Sequence, residues 1–198
     1  MIRLALLILC LALPAQATPE YRLPTLFRVV DVAANDTLNV REGPGVEHAI
    51  IGELAPDARD IEAVATSHDG GWLLVNIGER SGWVSLRFLE PEPARREGFT
   101  CSGTEPFWSI DLMDDTPVWS TPEGNLDLSD VQVLDVPWFQ DRRQILLAEL
   151  LGTPFVLTVT HGQCTDGMSD RAYGLEATGA IGPAGSAILV TGCCSIAP

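Results

Sequence analysis

The chain has 198 residues and a formal net charge of −15 at pH 7, from 27 acidic residues against 12 basic ones. Every basic residue is arginine, which excludes a Schiff-base lysine, a phosphate-gripping loop lysine and lysine attachment to peptidoglycan. The acidic balance also speaks against nucleic acid and anionic lipid headgroups, whose phosphates need clustered positive charge.

Met1-Ile2-Arg3 opens the chain with one positive charge, and residues 4–13 form an unbroken apolar run. Pro14 ends the run, and Ala15-Gln16-Ala17 has the small-x-small form of a cleavage site. Residues 1–17 therefore read as a signal peptide, with cleavage expected before Thr18. Its apolar run falls short of the roughly 20 residues needed to span a bilayer, so no membrane insertion is expected after cleavage. Leu9 precedes Cys10 where a lipoprotein leader has a small residue, so Cys10 is expected to leave with the leader. Residues 18–25 are an N-terminal extension.

Residues 26–90 read as short strands with turns between them. Residues 26–30, 38–41, 49–54, 61–66, 72–77 and 82–86 are rich in β-branched and apolar side chains. Glu42-Gly43-Pro44-Gly45, Asp69-Gly70-Gly71 and Gly78-Glu79-Arg80-Ser81 supply the turns. Closely spaced short strands of this kind predict a small barrel. Leu38-Asn39-Val40-Arg41-x-Gly43-Pro44, Ile51-Gly52-x-Leu54, Trp72-x-x-Val75 and Gly82-Trp83-Val84 stand in the order and spacing of one family. On these motifs the segment resembles the bacterial SH3 domain. It departs from that family at residues 55–59, where a glycine usually precedes the next strand. The resemblance implies an ancillary module that in some members binds cell-wall peptides. Arg41, Trp72 and Trp83 are then candidate ligand contacts. Trp72 is equally a candidate for the core, since tryptophan buries a large apolar area, and core is the preferred reading. Arg41 could instead brace the turn at Glu42. His48 and His68 sit in polar turns without ligand-spaced companions and read as surface residues.

Residues 91–97 alternate proline and charge and read as a stiff, solvated linker. Residues 98–198 return to strand patterning. Residues 107–112, 126–128, 131–134, 155–160 and 187–190 alternate or are β-branched, while residues 145–151 fit a strand or a short helix. The expectation is an all-β protein, with the SH3-like barrel followed by a disulfide-stapled antiparallel barrel or sandwich.

Four cysteines lie beyond the leader, at Cys101, Cys164, Cys193 and Cys194. An even count after a secretory leader reads as a disulfide framework in an oxidising compartment. A bond between the adjacent Cys193 and Cys194 would strain the peptide joining them. Neighbouring strand residues point to opposite faces, so each should reach a different segment. Cys164–Cys193 with Cys101–Cys194 is the preferred pairing, and the exchanged pairing stays open.

The motifs Cys101-x-Gly103-Thr104-Glu105-Pro106-Phe107-Trp108, Cys164-x-Asp166-Gly167-Met168-Ser169-Asp170-Arg171-x-Tyr173 and Gly192-Cys193-Cys194 occur in this order. They resemble those of a family of bacterial envelope proteins. That resemblance implies an extracytoplasmic place, with the Gram-negative periplasm expected, and no particular activity.

Glu105, Trp108, Asp166, Ser169, Asp170, Arg171 and Tyr173 form the candidate functional surface. The bland alternative places Phe107 and Trp108 in the core and makes residues 166–171 a turn network, with Asp166 on backbone amides and Arg171 paired to Asp170 or Glu105. His161-x-x-Cys164 has some zinc character, but the spacing fits no standard finger. Asp166 and Asp170 lack the alternating oxygen ligands of a calcium loop. Neither a metal nor a cofactor is expected. No histidine follows Cys164, Ser169 with His161 lacks triad context, and Asp114-Asp115 reads as a solvated turn.

The leading expectation is a non-enzymatic binding or adaptor protein at the cell wall, with peptidoglycan or an envelope protein as partner. The alternatives are a wall hydrolase acting around Asp166, Ser169 and Asp170, and a lysozyme-type inhibitor whose acidic surface suits a basic target.

Overall fold

The structure is a computed structural model and describes residues 22–93, 98–112, 117–135 and 143–196. Residues 1–17, expected as a signal peptide, residues 18–21 of the N-terminal extension, the arginine end of the expected linker and Asp114-Asp115 lie outside the described residues.

Strands β1 (Thr25–Val29), β2 (Leu38–Arg41), β3 (Ile50–Leu54), β4 (Ile61–Thr66), β5 (Trp72–Ile77), β6 (Arg80–Ser85) and β7 (Leu89–Pro91) form one antiparallel sheet. Its order is β3-β2-β6-β5-β4-β1-β7. Alternation along each strand turns Phe27, Val29, Leu38, Val40, Leu73, Val75 and Val84 into one core. That alternation corrects the reading of Trp72 as core. Leu73 and Val75 are fully buried, so Trp72 and Leu74 must face the other side of β5, and both are only half-buried. Trp83 follows the same rule beside the buried Val84.

The expected linker also needs correction at its start. Glu90 and Pro91 pair with Arg28 and Phe27 in β1. Glu92 is buried at 7% exposure, where it forms an ion pair with Arg59 and accepts the Asp60 N–H at 2.8 Å. Proline is tolerated there because β7 is an edge strand, where its missing N–H breaks no ladder.

The remaining strands are β8 (Thr100–Thr104), β9 (Phe107–Asp111), β10 (Val118–Thr121), β11 (Gly124–Asp135), β12 (Gln144–Leu150), β13 (Thr153–Cys164), β14 (Tyr173–Ile181) and β15 (Ile188–Ser195). They close into an eight-stranded antiparallel barrel, so the open choice between barrel and sandwich resolves to a barrel. The segment that fitted strand or helix is β12, with Leu146, Ala148 and Leu150 inward at period two. An eight-stranded barrel has an interior just wide enough to be filled by side chains. Here Trp119 stacks on Trp108 with ring centroids 4.7 Å apart and meets Phe155 edge-on at 5.2 Å. Gly103 and Gly192 make room for this filling. A Cβ on Gly103 would lie 2.2 Å from the Trp108 indole nitrogen, and one on Gly192 would lie 2.1 Å from the Ser102 carbonyl. The indole N–H donates to the Thr191 carbonyl at 3.2 Å.

The disulfides are Cys101–Cys194 and Cys164–Cys193, the preferred pairing. Cys194 stands directly opposite Cys101 across β15 and β8, which closes the barrel inside. Its neighbour Cys193 faces the other way and takes Cys164.

The outside of the barrel carries two contrasting rows of cross-strand neighbours. Leu147, Val156, Ala180 and Leu189 are paired in turn across β12 to β15 and form an apolar row. Ser102, Ser109 and Ser120 are paired across β8, β9 and β10 and form a row of small hydroxyls.

Sheet and barrel are joined through their backbones. The Asp170 N–H donates to the Glu79 carbonyl at 3.0 Å, and the Ser81 N–H donates to the Asp170 carbonyl at 2.9 Å. Asn76 grips Ala172 from both sides, donating to its carbonyl at 2.8 Å and accepting its N–H at 3.2 Å. At a second contact Glu62 of β4 is 4% exposed and accepts the Ser195 hydroxyl and the Ile196 N–H, the latter at 2.9 Å. Burial raises the Glu62 pKa above its ordinary 4.5 against the lowering by Ser195, Ile196 and the Arg171 charge. A folded pKa above the unfolded one means the folded state keeps a proton that the unfolded state has released. The contribution of Glu62 is therefore full below pH 4.5 and is lost as pH rises through the raised folded value. Glu62→Gln should flatten the fall in stability between pH 5 and pH 8. Urea unfolding of both proteins at the two pH values checks this, and an unchanged fall in the variant would contradict it.

Candidate functional site

The site begins with the serine row. Because Ser102, Ser109 and Ser120 are small, the outer face of β8 to β10 is hollow where larger side chains would fill it. Taller groups stand around this floor. Phe107 rises from the start of β9 and is 53% exposed, while Pro122 and Met168 stand on neighbouring loops. Glu79, Asp166 and Ser169 complete the wall, and the cleft encloses about 530 Å3. Glu79 comes from the sheet, on the two-residue turn between β5 and β6, where Gly78 has φ 59°. A glycine with positive φ at the first central position suits such a hairpin. Its tie to Asp170 holds this turn against the barrel.

Asp166 organises the opposite wall. One carboxylate oxygen accepts the N–H groups of Met168 at 3.0 Å and Ser169 at 2.9 Å. The other accepts the hydroxyls of Ser169 at 2.8 Å and Tyr173 at 3.2 Å. Burial pushes the Asp166 pKa up, but these four donors outweigh it and hold the carboxyl below its ordinary value. Burial, followed by the nearby Asp166 charge, raises the Tyr173 pKa, although Arg171 opposes it, so the phenol remains a donor at neutral pH. The Arg171 guanidinium lies 5.6 Å from the Tyr173 ring centroid. Its charge also acts on the buried Glu62. Arg171 thus acts on Glu62 of β4 only through its charge, while its guanidinium lies beside the Tyr173 ring whose hydroxyl donates to Asp166 at the cleft.

A second groove of about 440 Å3 shares Ser102, Gly103, Thr104 and Asp166 with the first. It continues past Glu105, Thr165 and Glu176 along the Cys164–Cys193 bond. Together the two make one extended, acidic surface.

The sequence candidates separate into three groups. Asp166 and Ser169 line the cleft, with Tyr173 and Arg171 supporting them from behind, and Trp108 lies beneath the floor at 3% exposure. Glu105 faces the second groove, and the Asp170 backbone holds the sheet. Arg41, Trp72 and Trp83 line neither groove. Arg41 braces the loop after β2, donating to the carbonyls of Val46 at 3.0 Å and His48 at 2.8 Å. The expected pairing of Arg171 with Asp170 or Glu105 does not occur among the described residues, and the guanidinium lies 5.6 Å from the Tyr173 ring centroid instead. Phe107 and Trp108, considered together as core, divide by strand alternation into one exposed and one buried ring.

All four cysteine sulfurs of the barrel are held in disulfides, which removes them as zinc ligands. Among the described residues no group of three or more His, Cys, Asp or Glu side chains is placed to hold a metal ion. The residues sequence reasoning missed are Glu79 and the serine row. Their only signal is register, since each serine is unremarked in its own strand and the three become neighbours only when the strands pair. Comparison with family models, with curated proteins and with solved structures gives no match.

Proposed function

We propose that this chain is a secreted, non-enzymatic binding protein of the bacterial cell envelope, and that it takes a peptidoglycan fragment in the cleft between sheet and barrel. The observation that carries this reading is Phe107, an aromatic ring 53% exposed above a floor of serine hydroxyls. An apolar ring face beside hydroxyls offers a sugar both stacking and hydrogen bonds. The extension into the second groove offers room for a longer ligand than one ring. The two disulfides fit an oxidising compartment, and no described helix is long and apolar enough to cross a membrane. The SH3-like motifs of the sheet add a resemblance to modules that meet wall peptides.

A hydrolytic role for Asp166 and Ser169 draws less support. The Ser169 hydroxyl donates to a carboxylate whose pKa is depressed, and such a carboxylate is a weak base for activating it. Among the described residues no imidazole lines the cleft.

Co-sedimentation with purified peptidoglycan tests the reading. Wild-type mature protein is expected to pellet with the wall, and Phe107→Ala is expected to weaken that binding about ten-fold, as loss of one aromatic anchor does. The ring is half outside, so its removal should change stability by only about 0.5 kcal/mol. Equal binding by the variant would move the site elsewhere, and no binding by wild type would remove the reading.

A further inference from the structure

We infer that the cleft selects ligands bearing a protonated primary amine, with Glu79 as the group that meets the charge. This rests on the cleft being the binding site, and it concerns what the wall of that cleft can offer. Above the floor serines, whose hydroxyls can donate or accept, the polar groups of the wall have given their protons away. The Ser169 hydroxyl donates to Asp166 at 2.8 Å, the Thr104 hydroxyl to the Asp166 carbonyl at 3.2 Å, and the Thr121 hydroxyl to the Gly124 carbonyl at 3.3 Å. The Trp108 indole N–H is committed to the Thr191 carbonyl at 3.2 Å. What these hydroxyls present to a ligand is their lone pairs.

The charges point the same way. Asp166 is held ionised, yet its two oxygens already accept four hydrogen bonds, so it contributes negative field and little bonding capacity. Among the described residues Glu79 has no ion-pair or hydrogen-bond partner for its carboxylate, and its position is fixed through its backbone. Among the described residues no arginine lines the cleft, and the chain has no lysine. A wall of acceptors with one open carboxylate repels anions and leaves a donor-rich cation as the complementary ligand. Glu105 and Glu176 extend the same sign along the second groove.

Two sources could supply the amine, a de-N-acetylated amino sugar or the free amine of a wall peptide. The probes are the glucosamine trimer, the N-acetylglucosamine trimer, and a disaccharide tetrapeptide muropeptide before and after acetylation of its free amine. Binding is read by calorimetry for wild type, Glu79→Gln and Phe107→Ala. At least one amine form is expected to bind ten-fold or more tightly than its acetylated partner. Glu79→Gln should erase that preference by weakening the amine form ten-fold or more relative to its acetylated partner. If the trimer pair carries the preference, the amine is that of the sugar; if the muropeptide pair carries it, the amine is that of the peptide. Amine and acetylated forms binding alike, and both weakened by Phe107→Ala, would overturn the selectivity while leaving the cleft as the site. No Phe107-dependent binding of any probe would overturn both.

Discussion

Replacing Cys101 and Cys194 together by alanine is expected to lower the unfolding free energy by roughly 4 kcal/mol. The bond spans 93 residues and joins β8, the first strand of the barrel, to β15, the last. Cutting it frees the two ends of the barrel from each other in the unfolded chain. The Cys164–Cys193 bond spans 29 residues and lies inside that loop, so it already shortens the larger one and keeps the gain a little below the roughly 4.7 kcal/mol of an uncrossed 100-residue loop. Removing Cys164 and Cys193 instead should cost roughly 3 kcal/mol. Urea unfolding of the two double variants beside wild type measures both. The account requires the Cys101 and Cys194 variant to be the less stable of the two. The reverse order would mean that the seam between β8 and β15 is held by something other than its covalent closure.

Trp119→Ala should cost about 3–5 kcal/mol, the range for deleting a large buried aromatic side chain. Trp119 is 3% exposed, lies between Trp108 and Phe155, and fills the space that an eight-stranded barrel encloses. Its loss would leave a cavity that a closed ladder cannot collapse to fill, because every strand is held on both sides. Thermal unfolding followed by circular dichroism reads the effect. A loss under about 1.5 kcal/mol would show that the barrel repacks, contrary to an interior held by the Trp108–Trp119 stack. Because Trp108 also underlies the cleft floor, the same substitution should loosen the floor and weaken ligand binding in step with stability.

The all-β class and most of the strands could be read in the sequence because each rests on a local rule, whereas β8, β10 and β14 carry no such pattern and the disulfide pairing was legible only as a preference. β-Branched residues mark β13, the segment of β12 fitted a strand or a helix until its pairing decided it, and the adjacency of Cys193 and Cys194 turns their side chains to opposite faces. The Asp166 turn was likewise visible as an aspartate followed by glycine and serine. Trp72 departs from the core expectation because the alternation of its own strand outweighs the size of its side chain. The cleft itself was hidden for a different reason. Glu79 belongs to the sheet and Asp166 to the barrel, and hydrogen bonds across the junction at Asn76, Ser81, Asp170 and Ala172 bring them to one cleft. Nothing in the spacing of those residues announces such a contact. The serine row depends on the register of three strands, which pattern alone does not set once the outward residues are polar.

The central claim is that ligand enters the cleft between sheet and barrel, and amide chemical-shift mapping tests it most directly. Isotope-labelled mature protein would be titrated with a disaccharide tetrapeptide muropeptide. The account predicts shifts at Glu79, Thr104, Phe107, Ser109 and Ser169, with the Trp108 indole N–H responding beneath them. Shifts gathered instead around Arg41, Trp72 and Trp83, on the sheet away from both grooves, would contradict it.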